Sequence, residues 1–446
     1  MHSVISTMPL FFPRLLAALS FFAGVDAAQD PAPARDPLAE RAREIAALFV
    51  EKPEPREGLF HRSFLDQVPA HQVIGIFKSY HRQGGRCVAH ELVSCESSWA
   101  GSFVLRFEKS RETTLTLSIE PSAPHAVVGL FVTNLEPALS GFPELAAELE
   151  KLPGRAGACV MRLGEGEPEL VFAREADASF AIGSSFKLYV LGALVQAVNA
   201  GERRWSDVVE LDARWRSLPT GALTDWPVGA PFTLYSLAGL MISQSDNTAT
   251  DHLLFTLGRE RVDALVEPMG NACAAANRPL LSTAELFRLK GSEGGKYAAA
   301  YVALDVDARR AYLDETVARL PLDAVSVGAI ARPLHIGEIE WFASCADLCR
   351  AMDWIRKQSA AGEAQAVREL LAINRGLPTA ARFAYAGYKG GSEGGVLNQT
   401  WLLQRADGAW LAFSASWNDA DEPLEEARFF GLAGRALGLV STAALR

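Results

Sequence analysis

Between residues 37 and 84 apolar positions recur at helical spacing in "LAERAREIAALFVEK", "HRSFLDQV" and "HQVIGIFKSYHRQ", with turn residues between them. The period then shortens. "CVAHELVSC", "WAGSFVLRFE", "ETTLTLSIE" and "HAVVGLFVTNL" read as strands at hairpin spacing. Helices followed by four meandering strands predict a small α+β domain over residues 38–136. Residues 137–157, "PALSGFPELAAELEKLPGRAG", read as a linker helix. Two strands, "ACVMRLG" and "PELVFARE", precede a long block of helical periodicity from about residue 184 to 376, interrupted at "LPTG" and "WPVGAP". Three more strands, "RFAYAGYKGG", "GVLNQTWLLQR" and "AWLAFSASWN", and the helix "LEEARFFGLAGRALGLV" close the chain. For residues 158–446 this order predicts an α/β sandwich, an antiparallel sheet flanked by helices.

The first thirty residues follow a different pattern. One basic residue, Arg14, precedes an apolar run over residues 15–25 and a small-residue exit at Ala27 and Ala28. This reads as a secretory signal peptide over residues 1–28, since the run is too short to span a bilayer comfortably. "QDPAPARDP", residues 29–37, is a Pro-rich spacer. The expected destination is export to the periplasm. No later stretch reaches ~18 uninterrupted apolar residues, so no stable membrane insertion is expected after cleavage.

The chain has 446 residues and a net charge of −10, which argues against nucleic acid or an anionic membrane as a partner. An oxidising compartment would allow its six cysteines to pair. Cys87 and Cys95, read as facing each other in a hairpin, are the expected disulfide. Cys345 and Cys349 lie four apart on a helix, a spacing that seldom suits a disulfide. Cys159 and Cys273 read as buried and inert. There is no C-x-x-C pair or Cys/His cluster, so neither a metal nor a cofactor is expected.

The candidate chemistry starts in "FAIGSSFKLYVLGAL", residues 180–194, where a lysine sits in the first turn of an otherwise apolar helix. A buried ammonium is costly unless acceptors surround it. Ser184 and Lys187 are three apart and share a helical face, so the lysine could hold, and when neutral accept, the hydroxyl proton. By itself S-x-x-K reads more readily as an N-cap serine followed by a surface lysine. The second stretch is "MISQSDNTATDHLL". There Ser245 could relay a proton to a leaving group and Asn247 could hold a substrate amide, while Asp246 reads as a turn residue. The third is "YKGGSEGG", in which Lys389 could bind a carboxylate and glycines allow a backbone to approach the strand.

Each motif alone is weak; their order is specific. S-x-x-K opening a helix after two strands, S-D-N about sixty residues on, and K-x-G on a late strand form the signature set of penicillin-recognising serine enzymes. Residues 150–446 thus resemble class A β-lactamases and their relatives, with the sandwich of the β-lactamase/transpeptidase type. The small domain ahead of them resembles the layout of the β-lactamase-like esterase of clavulanic acid biosynthesis and related exported serine hydrolases. By motif position the resemblance implies Ser184 as acylated nucleophile and Lys187 as its base, with Ser184, Ser245 and Asn247 as the acceptors around the lysine. It implies Ser245 as proton shuttle, Asn247 as amide ligand and Lys389 with Gly391 and Ser392 as the substrate-binding strand. The N–H groups of Ser184 and Ser392 would form the oxyanion hole.

Two departures bear on activity. The loop glutamate that activates the deacylating water in class A enzymes has no counterpart motif in "MGNACAAANRPLLSTAELFRLKG". Glu285, the only carboxylate nearby, reads instead as the partner of Ser282 in a capping box. Gly390 also replaces the hydroxyl residue expected to meet a substrate carboxylate, a role Ser392 could take. The expectation is an exported serine hydrolase acting on a small β-lactam or related amide or ester, a β-lactamase in the narrow sense. The alternatives are a D,D-peptidase-like or esterase acyl transferase, and a non-catalytic receptor that β-lactams acylate.

Overall fold

Strand alternation builds the large sheet and assigns its two faces. In a computed structural model, described for residues 36–443 except 378, 380 and 381, five antiparallel strands run in the order 385–393, 396–404, 410–418, 155–163, 169–174. Side chains of residues 94–96, 327 and 329 are also outside the description, as is the predicted signal peptide. Along Val396–Gln404 and Trp410–Asn418, residues Leu397, Trp401, Leu403, Leu411, Phe413 and Trp417 face one core. The alternate positions, Leu402 and Ala412 among them, face the other. Both faces are therefore covered, which makes three layers.

The outer face carries the C-terminal helix Glu426–Thr442 and the helix Phe142–Glu150, which share one core. The segment expected as a linker thus supplies Leu145 and Leu149 to that layer. The inner face carries the helical block, with Lys187–Asn199 and Cys345–Gln358 in its central core. Helix Lys187–Asn199 is buried along almost its whole length, so its apolar residues surround it rather than forming one stripe.

Segment 37–137 carries helices Pro37–Ala47 and Ala70–Gly84 and a meander of four strands over 87–132, with Glu136–Pro137 pairing off the third strand. Its core is separate, centred on Phe49, Phe77, Phe103 and Leu115. Arg382 reaches it through a salt bridge to Glu91 at 3.1 Å, and Arg435 donates to the Pro137 carbonyl. One expectation fails here. Cys87 and Cys95 lie on the same strand, Cys87–Ser97, eight residues and roughly 26 Å apart at strand rise, so they cannot pair. Cys87, Cys159, Cys273, Cys345 and Cys349 are all free. Among the described residues no helix is long and apolar enough to cross a membrane.

Trp401 is fully buried, stacks on Phe413 at 5.4 Å and donates from Nε1 to the Arg375 carbonyl. Trp401→Ala is expected to cost about 3–5 kcal/mol, measured by urea unfolding followed through circular dichroism.

Candidate active site

Three separate segments meet at the edge strand of the sheet. A single 3₁₀ turn, Gly183–Phe186, leads into helix Lys187–Asn199 and carries Ser184. Gly183 has φ of +49°, a conformation that disfavours a side chain. The residues around Ser184 are tied down: Ile182 N–H donates to the Trp341 carbonyl at 2.9 Å, and Ser185 Oγ donates to Asn398 Oδ1 at 2.6 Å. Phe186 stacks on Trp341 at 3.8 Å, and Trp341 Nε1 donates to the Leu281 carbonyl. Ser184, partly exposed, opens onto a cavity of about 420 Å³ that Ser245, Asn247, Lys389 and Ser392 also line.

Lys187 is fully buried, as its apolar neighbours imply. Its Nζ lies 2.6 Å from the Ser245 carbonyl, 2.6 Å from Asn247 Oδ1 and 3.1 Å from Ser245 Oγ. Among the described residues the Ser184 hydroxyl is not a partner of this amine. That corrects the expected direct contact: at the start of the helix the lysine reaches across to the S-D-N turn rather than back to the serine. Burial, reinforced by the nearby Lys389 charge and opposed by Asp251 and Asp246, holds the Lys187 ammonium well below its ordinary range. In the neutral amine two N–H groups serve the carbonyl and the amide oxygen, which can only accept. The lone pair then faces the Ser245 hydroxyl.

The S-D-N turn has its own architecture. Helix Leu234–Ser243 ends, and Ser245 adopts φ of +56°, a left-handed conformation strained for serine. Its carbonyl is clamped by Lys187 Nζ and by Thr220 Oγ1 at 2.9 Å. Asp246 caps helix Asn247–Leu257 by accepting from Ala249 N–H, and its second oxygen accepts from Leu223 N–H. Asn247 Nδ2 donates to the Leu218 carbonyl at 2.6 Å. Thr220 and Leu218 belong to "LPTG", which in the sequence reads only as a helix breaker; no local signal marks it as a second wall of the site.

Lys389 enters from strand Tyr385–Glu393. Its Nζ donates to Ser245 Oγ at 3.1 Å and to the Gly390 carbonyl, so one serine hydroxyl sits between two lysines. Burial pulls the Lys389 ammonium down to about 7. A β-carbon on Gly391 would lie 2.1 Å from the Ile182 carbonyl and 2.6 Å from Ser184 N, so glycine is what permits this contact. A β-carbon on Gly183 would in turn lie 3.1 Å from Ser392 N, so the backbone nitrogens of Ser184 and Ser392 lie at the same junction. At Gly390 the space for a side chain is taken by Tyr388, whose hydroxyl would lie 2.1 Å from the added carbon and is held by Gln399 Oε1. The hydroxyl residue missing from this motif has no room.

Glu285 has no free oxygen to offer. It closes the capping box with Ser282 on helix Thr283–Gly291 and forms a buried two-pronged pair with Arg259 at 2.6 and 2.7 Å. Burial opposes its charge, but Arg259 and Ser282 together keep its carboxyl below the ordinary range. Glu285→Ala leaves Arg259 buried and unpaired, and is expected to cost about 3–5 kcal/mol of stability in denaturant unfolding.

Residues 143–308 match the family model described as the Beta-lactamase enzyme family. The match takes in Ser184, Lys187, Ser245 and Asn247 and ends before Lys389. Among curated proteins none matches the sequence. Similar solved structures include the β-lactamase from Sphaerobacter thermophilus, with 22% identity over 69% of this chain and 97% of that one, and a TM-score of 0.48. The β-lactamase from Desulfarculus baarsii has 18% identity over 68% and 97%, and a TM-score of 0.46. A mutant of PBP-A, solved as its acyl-enzyme complex with penicillin G, has 14% identity over 68% and 96%, and a TM-score of 0.46. Residues 143–308 are thus the segment of this chain that carries the β-lactamase likeness.

Proposed function

We propose that the protein is an exported serine hydrolase that forms an acyl-enzyme on Ser184 with a β-lactam or a related amide or ester. The observation that carries this reading is the Ser245 hydroxyl held between two buried lysines beside a partly exposed serine. Acylation adds Ser184 Oγ to the substrate carbonyl carbon, and the N–H groups of Ser184 and Ser392 receive the oxyanion. The serine proton passes to neutral Lys187, with Ser245 as the bridging hydroxyl. Collapse of the tetrahedral adduct breaks the C–N or C–O bond, and Ser245 returns that proton to the departing nitrogen or oxygen. Water then cleaves the ester and restores the Ser184 hydroxyl. Lys389, charged, attracts a substrate carboxylate, and Asn247 positions an amide side chain.

A second reading has its own support. With Glu285 locked to Arg259, the loop offers no free carboxylate to activate the deacylating water. That favours a slow step after acylation, as in a D,D-peptidase-like acyl transferase or a receptor that stays acylated.

Ser184→Ala is expected to abolish covalent labelling by a fluorescent penicillin and turnover of p-nitrophenyl esters and nitrocefin. Labelling that survives the change would locate the nucleophile elsewhere. In the wild type, label that disappears within minutes supports hydrolysis, and label that persists supports the second reading. Lys187→Ala is expected to slow acylation by well over tenfold, more than about 1.4 kcal/mol of barrier, in stopped-flow labelling. Because the Lys389 charge is lost as pH rises through about 7, KM for a carboxylate-bearing substrate is expected to climb above that pH relative to KM for a neutral ester.

A further inference from the structure

Beyond Gly391 the same strand face carries a second buried charge group. Alternation along Tyr385–Glu393 puts Lys389, Gly391 and Glu393 on the side facing the helical block. Glu393 Oε1 accepts from Lys290 Nζ at 2.6 Å, and Lys290 Nζ also donates to Glu340 Oε1 at 3.1 Å. Side-chain exposure is 0% for Lys290 and Glu340 and 6% for Glu393. Both carboxyls are thus bonded to the same ammonium. Two carboxyls around one ammonium, all out of water, form a neutral group only when one carboxyl keeps its proton. Burial and the Glu340 charge, opposed by Lys290, raise Glu393 well above the ordinary carboxylate range. Burial works against the Lys290 charge, but Glu340 and Glu393 outweigh it.

The cluster joins three elements: helix Thr283–Gly291, the segment before Phe342–Ala343, and the end of the Lys389 strand. Glu393 immediately follows Ser392, whose backbone nitrogen lies beside Gly183 at the start of the Ser184 turn. Other charges nearby point elsewhere: Lys389 is turned to Ser245, and Arg332, whose backbone packs on Gly394, is exposed.

We propose that Glu393, Lys290 and Glu340 form a proton-sharing clamp that positions the Ser392 N–H over Ser184. The proposal rests on the acyl-enzyme reading of Ser184. These are positioning residues: they hold the strand end, and no step of the acyl transfer uses their side chains. With one carboxyl protonated the clamp is neutral and closed. As pH rises the shared proton leaves, two buried carboxylates face one ammonium, and their repulsion drives the strand end off the turn. Acylation therefore falls on the alkaline side, about tenfold per unit once past the midpoint for one proton.

The test uses the full chain and a neutral p-nitrophenyl ester, which makes no carboxylate contact with Lys389. In the wild type, infrared difference titration is expected to show a protonated carboxyl surviving to near-neutral pH and disappearing at the midpoint of the alkaline fall in acylation. Glu393→Gln mimics the protonated form; it is expected to lose that band and the alkaline fall while keeping acylation near wild type at lower pH. Glu340→Gln is expected to do the same and serves if the first variant does not fold. A wild type without the band overturns the clamp, whatever its activity. Variants whose pH profiles superimpose on the wild type overturn the link to Ser392. If the band is present but the wild type shows no Ser184-dependent acylation, the function reading fails and the coupling fails with it, while the clamp itself stands.

Discussion

One buried nitrogen ties the site together. Lys187 Nζ satisfies itself against a backbone carbonyl, a side-chain amide and a hydroxyl that all come from the S-D-N turn. An amine taken wholly out of water must find acceptors or lose its charge, and here three oxygens surround it while burial depresses its basicity. The same contacts explain why Ser245 tolerates a left-handed backbone, since its carbonyl is gripped from two sides by Lys187 and Thr220. Strain at such a position persists only when the surroundings over-determine it.

From that nitrogen the geometry extends to the edge strand. Lys389 meets the same Ser245 hydroxyl from the opposite direction, and Gly391 lets the strand approach the Ser184 turn closely. The turn is held from beneath by a polar patch in the middle of an apolar sheet. Asn398 accepts from Ser185 and Thr400 and donates to Ser416 Oγ and the Ala415 carbonyl. A fully satisfied buried network of this kind fixes orientation more than it adds stability. It works with the Phe186–Trp341 stack to fix the Ser184 turn beside the cavity.

The wall that would carry a water-activating carboxylate is built for stability instead. Glu285 completes a helix cap and neutralises Arg259, and Phe287 from the same helix lines the cavity. Attack on a substrate and release of the product therefore draw on differently equipped parts of the site. On the proposed reading the first would use two amines, the Ser245 hydroxyl and two backbone N–H groups; the second has no free carboxylate on that loop. This imbalance separates the two functional readings physically.

Much of this was legible in the amino-acid order. Period-2 and period-3.6 patterns marked the strands and helices of both parts, because burial on one face imposes them locally. The spacing of Ser184 and Lys187, the S-D-N turn, the glycines after Lys389 and the cap formed by Ser282 and Glu285 are likewise local, since each depends on residues within one turn of chain. What the sequence could not contain is which distant groups share a pocket. With the family resemblance it suggested Ser184, Ser245 and Asn247 as partners of Lys187; the fold brings the last two to the amine and not the first. It offered Cys87 and Cys95 as a pair, whereas one long strand sets them apart. Thr220, Trp341 and the Glu393–Lys290–Glu340 cluster carried no motif at all. Their roles arise only when segments tens to hundreds of residues apart are packed together, and long-range packing answers to total shape and burial rather than to any short pattern.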